Sequence, residues 1–284
     1  MQLSKAHEIT EFSPGVWIIN EFGLDAVFLI EGTEKALLID TGTGVGDLKA
    51  VVEGLTQKPI TVALTHGHVD HAGGIRQFDE VYVHPADFEM TRNLSIERRK
   101  EYAFRFPAIT GTRPYREEDI GNYGRELPKL LPLEDNFIFY LGGRKVSVVH
   151  TPGHTYGSCV FIDDKSRVLF SGDAANGNLL LGLGKMEDVD YTSAPVETAW
   201  KGLIRLKARQ PEFDYNFNGH VGPKPAKPQP SRTLDDCIAC MEGIMKGTLK
   251  KEKRPSPYAP VEREGAFYGV VMISFDENNI FETK

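Results

Sequence analysis

The chain has 284 residues, 40% of them hydrophobic and 26% charged, a composition that excludes a disordered or collagen-like chain. Acidic residues outnumber basic ones, 40 to 33, which argues against nucleic acid as a partner because phosphate backbones are bound by basic surfaces. The sequence has no apolar run of the ~18 residues that a membrane span needs and no secretory leader at its start, so we expect a cytoplasmic protein without membrane contact.

The first half of the chain predicts short strands separated by turns and helices. Apolar runs bounded by glycine, proline, asparagine and aspartate are typical of strands, whereas apolar residues three and four positions apart are typical of helices. The first three strands predict an antiparallel meander. The predicted strands cover 16–19, 26–30, 36–39, 60–64 and 81–83, and the predicted helix covers 47–55.

Residues 85–135 interrupt this rhythm with a charged and aromatic stretch. It predicts one helix over 95–106, followed by a region rich in turn-forming residues at 107–122. A segment of this length between regular elements is typical of a lid or a binding insertion. A surface helix pair explains it equally well, so both interpretations stay open.

The strand pattern resumes in the second half. We expect residues 1–222 to form one domain and residues 223–284, which start with a Pro-rich linker at 223–230, to form an extension packed on the same body. The predicted strands cover 137–141, 146–149, 159–162, 168–170, 215–217 and 269–275, and the predicted helices cover 195–207 and 233–245.

A dense group of histidines follows the predicted strand at 60–64. The sequence His66-Gly67-His68-Val69-Asp70-His71 places three imidazoles and one carboxylate within six residues. Such a density in a loop is hard to explain by packing. Neutral imidazoles with a carboxylate are a ligand set that suits Zn²⁺, Fe²⁺ or Mn²⁺.

Three further polar residues follow strands downstream in a similar way. His154 and His220 each come directly after a glycine at a strand end, and Asp173 ends the sequence Ser-Gly-Asp after another strand. Ligands of α/β sheets gather at the carboxyl ends of strands, so we expect these side chains to converge on the histidine cluster.

The order of these motifs resembles the metallo-β-lactamase superfamily. The match begins with Asp40 in Leu-Ile-Asp-Thr-Gly and extends from about residue 14 to residue 222. The resemblance implies a four-layer αββα sandwich, of mixed α/β class, with a helical insertion at 85–135 and a C-terminal helix-strand extension. Residues 1–222 would be its catalytic domain. It also implies that His66, His68 and His154 hold one metal ion, that Asp70, His71 and His220 hold a second, that Asp173 bridges them, and that Asp40 supports the metal-binding loops.

The resemblance also narrows the expected activity. Zinc β-lactamases of the best-known subgroup carry a cysteine where this chain has Asp173, so the aspartate points to the glyoxalase II and lactonase branch. We therefore expect a hydrolase that cleaves an ester, thioester or lactone bond of a small molecule through a metal-bridging hydroxide. Two Zn²⁺ ions are the expected cofactor, with iron or manganese as alternatives. Asp70 is the expected proton acceptor.

Two other functions remain alternatives. A persulfide dioxygenase would use a single iron ion at the positions of His66, His154 and Asp173. A phosphodiesterase would keep the two-metal site but act on a phosphoryl group. The sequence identifies no substrate-binding residue, and it leaves the oligomeric state open, with a homodimer as one option.

Overall fold

The computed structural model describes residues 7–105, 115–121, 126–182, 184–186, 189–191, 193–220, 227–255 and 262–283, with the backbone alone at 184–186 and 189–191. Parts of the predicted insertion, at 106–114 and 122–125, lie outside the described residues, as do residues 223–226 of the predicted linker. The strands are β1 (Glu8–Ser13), β2 (Val16–Glu21), β3 (Asp25–Glu31), β4 (Ala36–Ile39), β5 (Ile60–Ala63), β6 (Glu80–Val83), β7 (Lys129–Pro132), β8 (Ile138–Tyr140), β9 (Lys145–His150), β10 (Cys159–Asp163), β11 (Val168–Phe170), β12 (Asn178–Leu181), β13 (Gly184–Met186), β14 (Val189–Tyr191), β15 (Tyr215–Phe217), β16 (Glu252–Pro255), β17 (Glu262–Tyr268) and β18 (Val271–Phe275). The helices are α1 (Leu48–Leu55), α2 (Val69–Ala72), α3 (Phe88–Arg92), α4 (Ile96–Arg105), α5 (Val196–Ala208) and α6 (Thr233–Met245).

The first sheet has seven strands in the order β1-β2-β3-β4-β5-β6-β7. Strands β1 to β4 are antiparallel, which confirms the predicted meander, and β4 to β7 are parallel to their neighbours. Every residue of β4 is buried, as its unbroken apolar sequence predicts for a strand that is covered on both faces.

The second sheet has the order β15-β11-β10-β9-β8 and faces the first. Large aromatic side chains fill the space between the sheets, and Phe28 from the first sheet lies with its ring centroid 4.8 Å from that of Phe170 in the second. Strand β15 runs parallel to β11, so the carboxyl ends of these two strands meet at one edge.

Helices cover the outer faces of both sheets. Helix α1 buries Leu48 and Val52 against the first sheet, whereas α5 and α6 bury Leu203 and Met241 in the core outside the second sheet. These layers form the predicted four-layer αββα sandwich. Within the described ranges, no helix has the length and apolar character that crossing a membrane requires.

The residues after 226 add α6 and three strands, which join β12 in a further sheet of order β12-β18-β17-β16. Strand β18 pairs in parallel with β12, and α6 belongs to the same apolar core as α5. The closing strand starts at Val271 rather than at 269, because Gly269 adopts a φ of +55° in the turn that precedes it. The division into two segments at residue 222 stays a prediction.

Candidate metal centre

Each predicted motif lies just beyond the carboxyl end of a strand. The HGHVDH sequence follows β5 in the first sheet, and His154, Asp173 and His220 follow β9, β11 and β15 in the second. The backbone N–H of Cys159 donates to the carbonyl of Thr65 at 2.8 Å, which joins the two sheets at this edge. The two sheets therefore bring all of these motifs to one place.

The first cluster consists of His66, His68 and His154. The Nδ1 atom of His68 lies 3.1 Å from Nε2 of His66 and 2.8 Å from Nε2 of His154. All three side chains are buried. Burial, together with the neighbouring His154, lowers the pKa of His68 to about 3, so its ring is neutral at pH 7. Three buried imidazoles that face one point match the ligand set of a zinc site.

The second cluster consists of Asp70, His71 and His220. The Oδ2 atom of Asp70 lies 3.8 Å from Nε2 of His71 and 3.8 Å from Nε2 of His220. The Nε2 atom of His71 is buried without a hydrogen-bond partner among the described residues. His220 is 38% exposed at its side chain, so this end of the site is open to solvent.

Asp173 lies between the two clusters. Its Oδ2 atom is 3.4 Å from Nε2 of His154 and 3.1 Å from Nε2 of His220. Burial alone would raise the pKa of this carboxyl, but His220 and His154 outweigh it and hold the pKa well below its usual range. The carboxylate is therefore ionised and is positioned to contact cations in both clusters.

For His66 and His154, the second ring nitrogen has a hydrogen-bond partner that fixes the tautomer. The hydroxyl of Thr65 donates to Asp40 at 2.8 Å, so it accepts from Nδ1 of His66 at 3.1 Å. Nδ1 of His154 donates to the carbonyl of Leu180 at 2.9 Å. In both rings the lone pair is thus left on Nε2, the atom that faces the cluster.

Asp40 lies behind the second cluster. It adopts a φ of +64°, and its carboxylate accepts from the backbone N–H of Thr65 at 2.7 Å and from Nδ1 of His71 at 2.8 Å. In the neutral ring that binds a metal ion, Nδ1 of His71 would keep its hydrogen for Asp40 and Nε2 would carry the lone pair. Supporting the loops in this way is the role proposed for Asp40.

Three acidic or phenolic residues at the site were missed by sequence reasoning. Asp25, at the start of β3, is fully buried with its Oδ2 3.6 Å from Nδ1 of His71. Asp87 accepts hydrogen bonds from Gly67 N–H at 2.9 Å and from the Thr155 hydroxyl at 2.7 Å. It thereby connects the loops that carry His66, His68 and His154.

The third missed residue is Tyr102 on α4. Its hydroxyl donates to Oδ2 of Asp70 at 2.6 Å. Burial and the neighbouring Asp70 carboxylate raise the pKa of Tyr102 well above its usual value, so the phenol remains a hydrogen-bond donor at neutral pH. An aromatic-rich segment was the only sequence signal for this contact.

The donor set fits divalent cations. The atoms of each cluster lie within 4.8 Å of one another, and a third group joins His66, His71 and Asp173. Burial opposes a charge on His71, but Asp25, Asp40 and Asp70 outweigh it and raise the pKa of His71 well above its usual value. The surroundings thus favour positive charge at the second cluster, as a metal ion would supply.

The fold and this arrangement define a metal-binding α/β protein of one known superfamily. A family model described as the metallo-beta-lactamase superfamily matches residues 22–208, and the chain belongs to this family. Among solved structures, a metallo-beta-lactamase family protein from Thermus thermophilus aligns over 85% of both chains with a TM-score of 0.55 and 22% identity, a likeness that shows the fold alone.

Curated relatives are more similar in sequence. The human protein named acyl-coenzyme A thioesterase MBLAC2 is 30% identical over 195 residues, which cover 63% of this chain and 69% of the human protein. An uncharacterized protein from Aquifex aeolicus is 28% identical over 190 residues, covering 67% of this chain and 80% of the relative.

Proposed function

We propose that the protein is a binuclear metal-dependent hydrolase that cleaves the thioester bond of a small acyl substrate. The observation that carries this proposal is the position of Asp173, with one oxygen within 3.4 Å of ligand nitrogens from both clusters. A carboxylate in that position suits two cations that share a ligand. All seven residues expected to bind metal lie together at this edge of the sandwich.

The substrate class rests on the relatives. The human, bovine and chicken proteins that carry the name acyl-coenzyme A thioesterase are 29–31% identical to this chain. Together with the family match, these names support a hydrolase. Oxygen esters and lactones present the same electrophilic carbonyl, so they serve as comparison substrates.

The side chains have distinct proposed roles. Two divalent ions, with zinc as the expected metal, would supply an activated water and polarise the acyl carbonyl. His66, His68 and His154 would hold one ion in the buried cluster, whereas Asp70, His71 and His220 would hold a second at the open end. Asp70 is the proposed proton acceptor, because its carboxylate lies at the second cluster, with Oδ2 3.8 Å from Nε2 of both His71 and His220.

The test combines metal content with a substrate panel. Protein purified without chelator should contain two zinc ions per chain by elemental mass spectrometry, and it should hydrolyse an acyl-CoA faster than a matched oxygen ester or lactone. Asp173→Ala should lose both activity and metal. Asp164→Ala, an exposed change at the turn after β10, is the matched control and should keep both.

Three results would contradict all or part of the proposal. A single iron ion per chain would favour the persulfide dioxygenase alternative, and a phosphodiester as the preferred substrate would favour a phosphodiesterase. Faster turnover of a lactone than of an acyl-CoA would keep the hydrolase but replace the thioester.

A further inference from the structure

Helix α4 lies within the predicted insertion at 85–135 and contacts the second cluster. Its residue Tyr102 donates a hydrogen bond of 2.6 Å to Asp70, which is 32 positions away in the chain. The accepting atom is Oδ2, the same oxygen that lies 3.8 Å from Nε2 of His71 and 3.8 Å from Nε2 of His220. The phenol thus contacts the one carboxylate oxygen that faces the second metal position.

The helix that carries Tyr102 is firmly attached to the body of the protein. Arg99 is buried, and its guanidinium donates to the carbonyls of Thr43 at 2.9 Å, Gly44 at 2.8 Å and Gly121 at 2.8 Å. Arg99 and Tyr102 are three positions apart, so they lie on the same side of α4. The loop that contains Asp40 therefore fixes where the Tyr102 hydroxyl lies.

We propose that Tyr102 is a positioning residue that holds Asp70 in the orientation required for binding the second metal ion. This inference rests on the proposed binuclear function. A carboxylate oxygen has two lone pairs, so Oδ2 can accept the phenol hydrogen while it binds a cation. Without the phenol, the Asp70 side chain could rotate, and the second ion would lose part of its ligand set.

The insertion therefore contributes directly to the site. Its described helix supplies a hydrogen bond to a ligand, as partners in the outer shell of metal sites commonly do. This role differs from a lid, which would close over a bound substrate.

The test is a metal titration of Tyr102→Phe, with Co²⁺ as a coloured probe and a competing chelator. We expect one of the two binding steps to weaken about ten- to a hundredfold, the range found when such outer partners are removed, while the other step stays unchanged. With zinc bound at saturation, kcat should fall and KM should change little.

Tyr115→Phe is the matched control. Tyr115 is also buried beside α4, and its hydroxyl donates to the carbonyl of Ala103 at 2.6 Å rather than to a ligand. It should keep both binding steps and the activity. If Tyr115→Phe weakened the same step as strongly, the effect would reflect the packing of α4, and the proposal would be overturned.

A double-mutant cycle guards against a variant that is merely unstable. In the Asp70→Ala background, Tyr102→Phe should have no further effect on metal binding, because the partner that it positions is gone. A further loss of binding there would overturn the proposal. Wild-type protein that binds one ion would overturn both this proposal and the binuclear function, whereas two ions with unchanged affinities in Tyr102→Phe would overturn this proposal alone.

Discussion

At the scale of single residues, buried acidic side chains fix the loops of the metal centre. Asp87 accepts from the backbone N–H groups of Gly67 and Gly157, both at 2.9 Å, and so joins the loop after β5 to the loop after β9. Both carboxylate oxygens of Asp87 therefore hold loop backbone, which suits a site whose ligands must stay in place when the ion leaves.

Replacing Asp70 by Asn tests its proposed role in proton transfer. The amide keeps the shape and an oxygen ligand but cannot accept a proton as a carboxylate does, so kcat should fall about a hundredfold or more. Steady-state kinetics with metal content measured on the same sample is the check. An unchanged kcat with both ions retained would remove Asp70 from that role.

His7 predicts a pH dependence that does not involve the metal. Burial lowers its pKa from 6.5 to about 4, against the opposing effect of a hydrogen bond with the Val45 backbone. The unfolded chain therefore takes up this proton first as the pH falls. The contribution of His7 to the free energy of unfolding is therefore complete above pH 6.5. As the pH falls towards 4, up to about 3 kcal/mol of it is lost.

The measurement is urea unfolding of metal-free protein between pH 4 and pH 7. His7→Phe keeps an aromatic ring against Phe22, whose centroid is 4.8 Å from that of His7, but it cannot titrate. The variant should show a shallower fall in the free energy of unfolding than the wild type. Equal slopes would mean that His7 does not carry this dependence.

The site residues that the sequence predicted belong to local patterns, whereas those that it missed depend on partners far away in the chain. The histidines and aspartates of the motifs stand out because they are dense or follow a strand and a glycine. Asp25 and Asp87 are single acidic residues, and their roles depend on contacts with residues such as Thr155, 68 positions away in the chain. No local pattern encodes such a contact.

At the scale of elements, most apolar strands were predicted from the sequence, whereas the polar edge strands were not. β4, β11 and β15 match their predicted bounds, since each is a short run between clear turn signals. β16 was missed because all four of its residues are exposed and charged or proline, as suits an edge strand. β1 and β7 also lie at the edges of their sheet and lack a buried apolar run.

β12 links the C-terminal extension to the first cluster. The Leu180 carbonyl accepts from Nδ1 of His154, while β12 is paired along its length with β18. Ser193 strengthens the link, because its hydroxyl accepts from Gly182 N–H at 2.7 Å and donates to the His154 carbonyl at 3.2 Å. The extension thus restrains a ligand of the proposed metal site.

Ser193→Ala should loosen this link. Amide hydrogen exchange at 151–155 should become faster, and the affinity of the first cluster for zinc should fall by about tenfold, because a support of His154 is lost. Thr198→Ala is the matched control, since its hydroxyl bonds to exposed Glu282 at 2.8 Å, away from the site. Unchanged exchange in Ser193→Ala would show that β12 is held without this hydroxyl.

At the scale of the whole molecule, each cluster draws ligands from both sheets. His66 and His68 follow β5 in the first sheet, whereas His154 follows β9 in the second. The second cluster likewise combines Asp70 and His71 with His220, which follows β15. Ions bound there would join the two halves of the sandwich, in addition to the apolar contacts between the sheets.

Metal removal should therefore lower the thermal stability of the entire fold. A ligand present at 100 times its Kd stabilises the folded state by about 2.7 kcal/mol, so two such ions contribute about 5 kcal/mol. For a chain of this size that corresponds to a fall in Tm of roughly 10 °C.

The measurement is calorimetry before and after chelation, with zinc content followed by elemental mass spectrometry. Asp173→Ala, which lacks the residue between the clusters, should show a much smaller shift, and refilling the wild type with zinc should restore its Tm. If complete loss of zinc left the Tm of the wild type unchanged, the ions would not join the two sheets.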